Sequence, residues 1–330
     1  MARYVAEHFG WAEPSAMTYV ADGAMGRVWR LTAGGESYAV KELYWARDAP
    51  AEDAAVARQV RFCEVARAAG VAAPANLMTS SGGYVIGLPP ALGGRLVRAY
   101  EWVQGRPITS FDVGGAVWAG GGVWAGRTEA VIEGLAVPAD DQAVDPWFCR
   151  APSPDAWEKL ARRCAEQNQP WADRLQRTIP EFVALADLVG APDAAELIVT
   201  HTDFQPQNVL VDGDGRFVLL DWDDSGPSTR RRALGRLLND WHLRGATVDR
   251  AGIRRTMRSY RAAGGTAYVT EVADFGDSIC GYLNYVYGQA ELSLDQSQPD
   301  DLRVDAGRRL PDLLDPLPPS TYEAAITAAS

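Results

Sequence analysis

The chain has 330 residues, 47% hydrophobic and 23% charged, the profile of a folded globular protein with room for two lobes around a cleft. A net charge of −11 argues against nucleic-acid and anionic-membrane partners; it suits a cationic ligand, and solubility alone explains it equally well. Cys63, Cys149, Cys164 and Cys280 are far apart and form no Cys-x-x-Cys pair, so they read as reduced core thiols of a cytoplasmic protein, and neither an apolar signal core nor a membrane-length apolar run is present.

Residues 4 to 12 predict a short lead-in helix, ended by Pro14. Met17–Val20 predicts a strand, followed by Ala21-Asp22-Gly23-Ala24-Met25-Gly26 and a second strand, Val28–Leu31. Strand, glycine turn, strand is either an ordinary hairpin or a loop that folds over nucleotide phosphates with its backbone N–H groups. Gly34-Gly35 makes another turn, and Tyr38–Leu43 is a strand with one lysine, Lys41, amid apolar neighbours. Alternation puts Lys41 on the face of Ala39 and Leu43, where it is either a phosphate ligand or a solvated edge lysine. A helix is expected over 51 to 69, ended by Gly70, with Val56, Gln59, Val60 and Cys63 on its inward stripe. Strands follow over Tyr84–Leu88 and Leu96–Val103, the second running into the connector Gly105-Arg106-Pro107.

From residue 110 the pattern turns helical. Residues 111 to 126 are rich in Gly, Ala and Trp, and helical spacing continues to 136. A polar loop, Asp140 to Pro154, carries Trp147 and Phe148; helices are expected over Trp157–Asn168, Trp171–Leu175 and Phe182–Leu188. The tryptophans read as packing residues rather than stacking platforms.

The densest chemistry lies between 197 and 223. Leu197–Thr200 reads as a buried strand, then comes His201-Thr202-Asp203-Phe204-Gln205-Pro206-Gln207-Asn208. Val209–Val211 and Phe217–Leu220, separated by Asp212-Gly213-Asp214-Gly215, read as a hairpin. Pairing it about its turn puts Asn208 and Asp221 at the same end, able to reach one metal cluster. An amide oxygen and a carboxylate are hard donors that suit Mg²⁺, and Asp203 is placed to orient or take a hydroxyl proton. His201 is expected to brace the loop. Beyond it, 223 to 227 reads as a loop, Arg230-Arg231-Arg232 as a solvated helix start, and helices are expected to about Arg244, near 251–263 and near 270–292. The tail, with Pro311, Pro316, Pro318 and Pro319, ends in a short helix or frays.

His201-x-Asp203-Phe204-x-Pro206-x-Asn208-Val209-Leu210-Val211, followed by Asp221-Trp222-Asp223, resembles the aminoglycoside phosphotransferase family of small-molecule kinases. Only 201–221 is highly specific, although the order of elements agrees across most of the chain. The resemblance implies a protein-kinase-like bilobal α+β fold: a mixed β-sheet lobe over 1–98, a hinge over 99–103 and a mostly helical lobe over 104–330. It implies O-phosphorylation of a small hydroxylated molecule with ATP or GTP and Mg²⁺. Asp203 would be catalytic, and Asn208 and Asp221 would hold the metal. Lys41 would hold phosphate under the loop Gly23, Ala24, Met25 and Gly26, while Glu101 and Val103 would meet the adenine edge through backbone groups. One position departs from the family. The helix residue expected to be an acid that fixes the lysine is Gln59, which leaves Gln59, Glu52 and Glu64 as candidate partners of Lys41. Asp223 would assist the metal or point to substrate. Three readings stay open: a resistance-type kinase acting on an aminoglycoside or other natural-product antibiotic, a metabolic kinase of choline, homoserine or sugar type, and a silent nucleotide-binding pseudokinase. A protein Ser/Thr kinase is disfavoured, since Asp221-Trp222-Asp223 stands where Asp-Phe-Gly would and no Ala-Pro-Glu follows.

Overall fold

The structure, a computed structural model, describes residues 1–23, 26–44, 49–109, 112–140 and 142–330, with the side chains of 22, 23 and 49–51 excepted. In chain order the elements are α1 (Ala2–Phe9), β1 (Pro14–Gly23), β2 (Gly26–Ala33), β3 (Glu36–Leu43), α2 (Ala49–Ala68), β4 (Asn76–Leu77), β5 (Val85–Gly87), β6 (Leu96–Glu101) and β7 (Arg106–Pro107). Then come α3 (Ala116–Leu135), α4 (Pro146–Cys149), α5 (Pro154–Glu166), α6 (Ala172–Asp187), β8 (Leu197–Thr200), β9 (Val209–Val211), β10 (Phe217–Leu219) and β11 (Gly226–Thr229). Helices α7 (Arg230–His242), α8 (Arg250–Ala262), α9 (Gly276–Leu294), α10 (Asp300–Leu313) and α11 (Pro319–Ala329) complete the chain. This is the expected α+β arrangement, an antiparallel sheet early and helices late. The chain divides into two compact units, Met1–Phe111 with Gln207–Ser225, and Asp112–Pro206 with Gly226–Ser330.

The first unit is built on an antiparallel sheet of order β1-β2-β3-β6-β4, with β5 also paired to β6. Period-2 alternation gives this sheet two different faces. Leu31, Val40, Val97 and Ala99 join Val5 and Phe9 of α1 in one apolar core. The residues between them, Lys41 on β3 and Arg98 on β6, point the other way and sit directly opposite each other in the register. The late segment of the same unit adds the hairpin β9–β10, paired through Leu219 and Val209, with β7 on its other edge. Leu219 N–H also donates to the Ala72 carbonyl at 2.9 Å, tying the hairpin to the chain that leaves α2.

The second unit is helical. Helix α3 runs unbroken from 116 to 135, and packing requires the glycine at 126, where a Cβ would collide with the Thr256 carbonyl of α8. Three local expectations are corrected here. Residues 226–229 form a strand, β11, paired with β8, because Ser228 and Thr229 are buried beside a strand that needs a partner. Trp171–Leu175 and Phe182–Leu188 are parts of one helix, α6, which carries Pro180 inside it. Arg232 is buried, not solvated: it pairs with buried Asp277 at 3.4 Å, and Asp277 also accepts from Ser228 Oγ at 2.5 Å. The tail folds into two helices, α10 and α11. Among the described residues no helix is long and apolar enough to cross a membrane, and all four cysteines are unbridged, three of them buried and Cys149 half-buried.

Candidate active site

Two cations facing each other on adjacent antiparallel strands repel, and the interior makes that costly. The first unit solves this for Lys41 and Arg98 with one carboxylate. Asp223 Oδ2 lies 2.9 Å from Lys41 Nζ, and Asp223 Oδ1 accepts from Arg98 Nη1 at 2.7 Å and from the Tyr100 hydroxyl at 2.6 Å. Arg98 is 2% exposed and Asp223 7%. The second guanidinium nitrogen of Arg98 donates to Asn76 Oδ1 at 2.7 Å, and Gln59 of α2 completes the network, accepting from Arg98 at 3.0 Å and donating to the Asp223 carbonyl. Burial alone would raise the Asp223 carboxyl, but Arg98 and then Lys41 hold it far below the usual carboxylate range. Burial likewise pulls the Lys41 ammonium down; Asp223 and then Asp221 outweigh it and keep the lysine charged.

Lys41 Nζ also donates to Asp221 Oδ1 at 2.6 Å. Asp221 is more open, with 37% of its side chain exposed. It holds a left-handed backbone, φ 57° and ψ 61°, uncommon for a residue with a side chain and a feature that clusters at functional sites. Trp222, buried beside Phe62 of α2, anchors the turn, and its indole N–H donates to the Leu219 carbonyl at 3.1 Å. Leu220 N–H donates to the Asn208 carbonyl at 2.8 Å, so the hairpin brings Asn208 and Asp221 to one end, as its pairing predicts. Their donor set, one amide oxygen and one carboxylate, fits a hard divalent cation that takes its remaining ligands from phosphate and water. Among the described residues no cluster of three His, Cys, Asp or Glu side chains could hold a metal by itself.

The remaining candidates of the first unit are placed as follows. Gly23 and Gly26 are register partners at the turn between β1 and β2; Ala24 and Met25 lie outside the described residues. A Cβ on Gly26 would strike the Glu42 carbonyl, so close approach of β3 beside Lys41 already requires glycine there. Glu101 ends β6, and its N–H donates to the Ala75 carbonyl at 2.9 Å. Val103 is half-buried in the connector before β7.

Asp203 belongs to the second unit. The loop around it is tight: Thr202 has φ 56°, and Asp203 N–H donates to the His201 carbonyl at 2.8 Å and to His201 Nδ1 at 3.3 Å. Helix α7 braces this loop, with the Trp241 indole N–H on the Phe204 carbonyl at 3.1 Å. It also supplies Arg236, whose Nη2 donates to Asp203 Oδ1 at 2.6 Å. The guanidinium lies over the Phe148 ring, 4.6 Å from its centroid, and its Nε is 3.6 Å from Asp240. Gln205 donates its side-chain amide to both oxygens of Asp203, at 3.1 and 2.9 Å. The carboxylate is thereby oriented, with 14% of the side chain exposed.

Residues 17–265 match the family model described as the phosphotransferase enzyme family. The chain belongs to that family. No curated protein matches this phosphotransferase by sequence. Among solved structures it is similar to a spectinomycin phosphotransferase in complex with ADP and spectinomycin, at 16% identity and a TM-score of 0.66, over 98% of this chain and 96% of that one. It is similar to an amicoumacin kinase in complex with AMP-PNP and Ca²⁺, at 18% identity and a TM-score of 0.58, over 96% and 93%. A choline kinase from Cryptosporidium parvum Iowa II shares the fold at 12% identity and a TM-score of 0.52, over 94% and 90%. The phosphotransferase is thus a protein-kinase-like enzyme of the small-molecule kinases.

Sequence reasoning on this phosphotransferase missed Arg98 and Arg236 and gave Asp223 a different role. Arg98 gave the same signal as Lys41, a lone cation inside an apolar strand, and alternation would have put both on one face. Asp223 was seen, but its burial between two cations depends on strands far away in the chain. Arg236, 33 positions beyond Asp203, left no local mark.

Proposed function

We propose that this phosphotransferase transfers the γ-phosphoryl group of ATP to a hydroxyl of a small molecule. Lys41 binds the phosphates under the turn of Gly23, Ala24, Met25 and Gly26, and backbone groups of Glu101 and Val103, in a hinge over 99–103, meet the base. Asn208 and Asp221 hold Mg²⁺, which when bound neutralises charge on the phosphates. Asp203 orients the substrate hydroxyl; as its oxygen bonds to phosphorus and the bond to ADP breaks, Asp203 takes the hydroxyl proton. Arg236 and Gln205 keep that carboxylate aimed, while Lys41 positions the nucleotide. The observation that carries this reading is the Lys41–Asp221 ion pair at 2.6 Å, a lysine from the third strand and an acid from the far end of a hairpin meeting in one unit. GTP is the competing donor, since backbone recognition of the base leaves its identity open.

The substrate class we favour is an aminoglycoside or another natural-product antibiotic, which makes the protein a resistance-type kinase of the cytoplasm. The neighbours solved with spectinomycin and named for amicoumacin support this, and the net charge of −11 suits a cationic substrate. The choline kinase neighbour supports a metabolic alternative, a small amino alcohol or related metabolite. Measuring ADP release across a panel of aminoglycosides, other hydroxylated antibiotics, choline, homoserine and sugars tests both. Turnover on an antibiotic, with raised tolerance in a susceptible bacterium expressing the chain, is expected; turnover confined to a metabolite would move the assignment to the alternative.

A further inference from the structure

Kinases of this fold fix the phosphate-binding lysine with an acid from the neighbouring helix. Here the helix offers Gln59, and its side chain is spent on Arg98 and the Asp223 carbonyl. The negative charge comes instead from the segment that carries Asp221. Asp223 bridges Lys41 and Arg98, which the register sets opposite each other, and Tyr100 donates a third bond to the same carboxylate. We infer that Asp223, clamped by Arg98 and Tyr100, is the positioning residue that holds Lys41 for the nucleotide phosphates, taking the place of the helix acid. The inference rests on the reading of Lys41 as a phosphate ligand.

Two other roles for Asp223 are physically reasonable and leave different traces. If it only neutralised buried Arg98, its loss would weaken folding and leave nucleotide affinity of the folded protein alone. If it were a metal ligand, its loss would matter only when metal is present. A positioned lysine meets the phosphates with or without metal.

The experiment uses the full chain carrying Asp223→Asn, with ATP affinity measured by calorimetry in excess Mg²⁺ and again in EDTA. The expected result is a rise in Kd of about tenfold in both conditions, with a matching rise in KM for ATP and a smaller change in kcat. A loss seen only with Mg²⁺, or an affinity within twofold of wild type in both, would overturn the inference. Should Asp223→Asn fail to fold, Tyr100→Phe removes one bond to the same carboxylate at nearly constant volume. It is expected to raise Kd for ATP roughly threefold, and an unchanged Kd would overturn the inference. Wild-type protein that binds no ATP in either condition would overturn the kinase reading itself, a result distinguishable from failure of Asp223 alone.

Discussion

Asp223 in the first unit and Asp203 in the second are each bound by an arginine, and the resemblance ends there. Asp223 is 7% exposed, takes Arg98 and Tyr100 on one oxygen and Lys41 on the other, and is held far below the usual carboxylate range. Asp203 accepts from Arg236 on one oxygen and from the neutral amide of Gln205 on both. Gln205 is a neighbour two positions along the same loop, and a rotamer change withdraws it at small cost. A carboxylate shared by two buried cations is a fixed charge; one that also accepts from a movable neutral amide can exchange that bond for another donor. Burial and the partners around it, rather than residue type, decide how firmly an acid is fixed.

That contrast can be broken by substitution. The largest effect is expected for Asp221→Ala, which should abolish Mg²⁺-dependent ATP binding; calorimetric affinity equal to wild type would count against the metal role. Arg98→Met removes one member of a buried ion pair and leaves Asp223 under-compensated, so urea denaturation should show a loss of about 3–5 kcal/mol. A loss below about 1 kcal/mol would mean the pair is not desolvated as described. Asp203→Ala should lower turnover at least ~10²-fold while ATP binding survives, and turnover within a few-fold of wild type would refute its assignment. Arg236→Met should lower kcat about tenfold with Kd for ATP unchanged, because it disorients Asp203 without touching the nucleotide. Equal losses in ATP affinity would show a general disturbance instead.

The smallest effect concerns a third acid, Glu129 of α3, which is 3% exposed and has another carboxylate, Glu133, as its charged neighbour. Burial, then Glu133, pushes Glu129 up from 4.5 to about 8. The folded protein therefore keeps a proton that the unfolded chain releases. This contribution to stability is fully present below about pH 4.5 and is lost as pH rises through about 8. Melting temperature should fall between pH 6 and pH 9 in wild type and fall less in Glu129→Gln. Equal slopes would place Glu129 outside the linkage.

Where local pattern decides structure, the chain was legible. The apolar run 197–200 and the Asp/Gly turn after Val211 carry their own geometry, and the hairpin pairs as its turn predicts, with Asn208 and Asp221 at one end. Alternation puts Lys41 on the face of Leu43, and both are buried. What could not be read depends on partners remote in sequence. Gly226-Pro227 looks like a loop until β8 is placed beside it, and Pro180 looks like a break until α6 is seen to continue through it. Arg232 looks like part of a solvated basic run until Asp277 is found within reach. Lys41's partner was sought on the helix because the family puts it there, whereas Asp221 and Asp223 enter from a segment 180 or more positions away.

The first unit is made of two stretches of chain separated by 95 residues, 112 to 206. During synthesis the sheet strands that carry Lys41 and Arg98 emerge long before the acid that neutralises them. Until residue 223 leaves the ribosome, closing that sheet would bury two uncompensated positive charges. The N-terminal sheet should accordingly stay open in nascent chains, and a fragment ending at 111 should not reach the native state on its own.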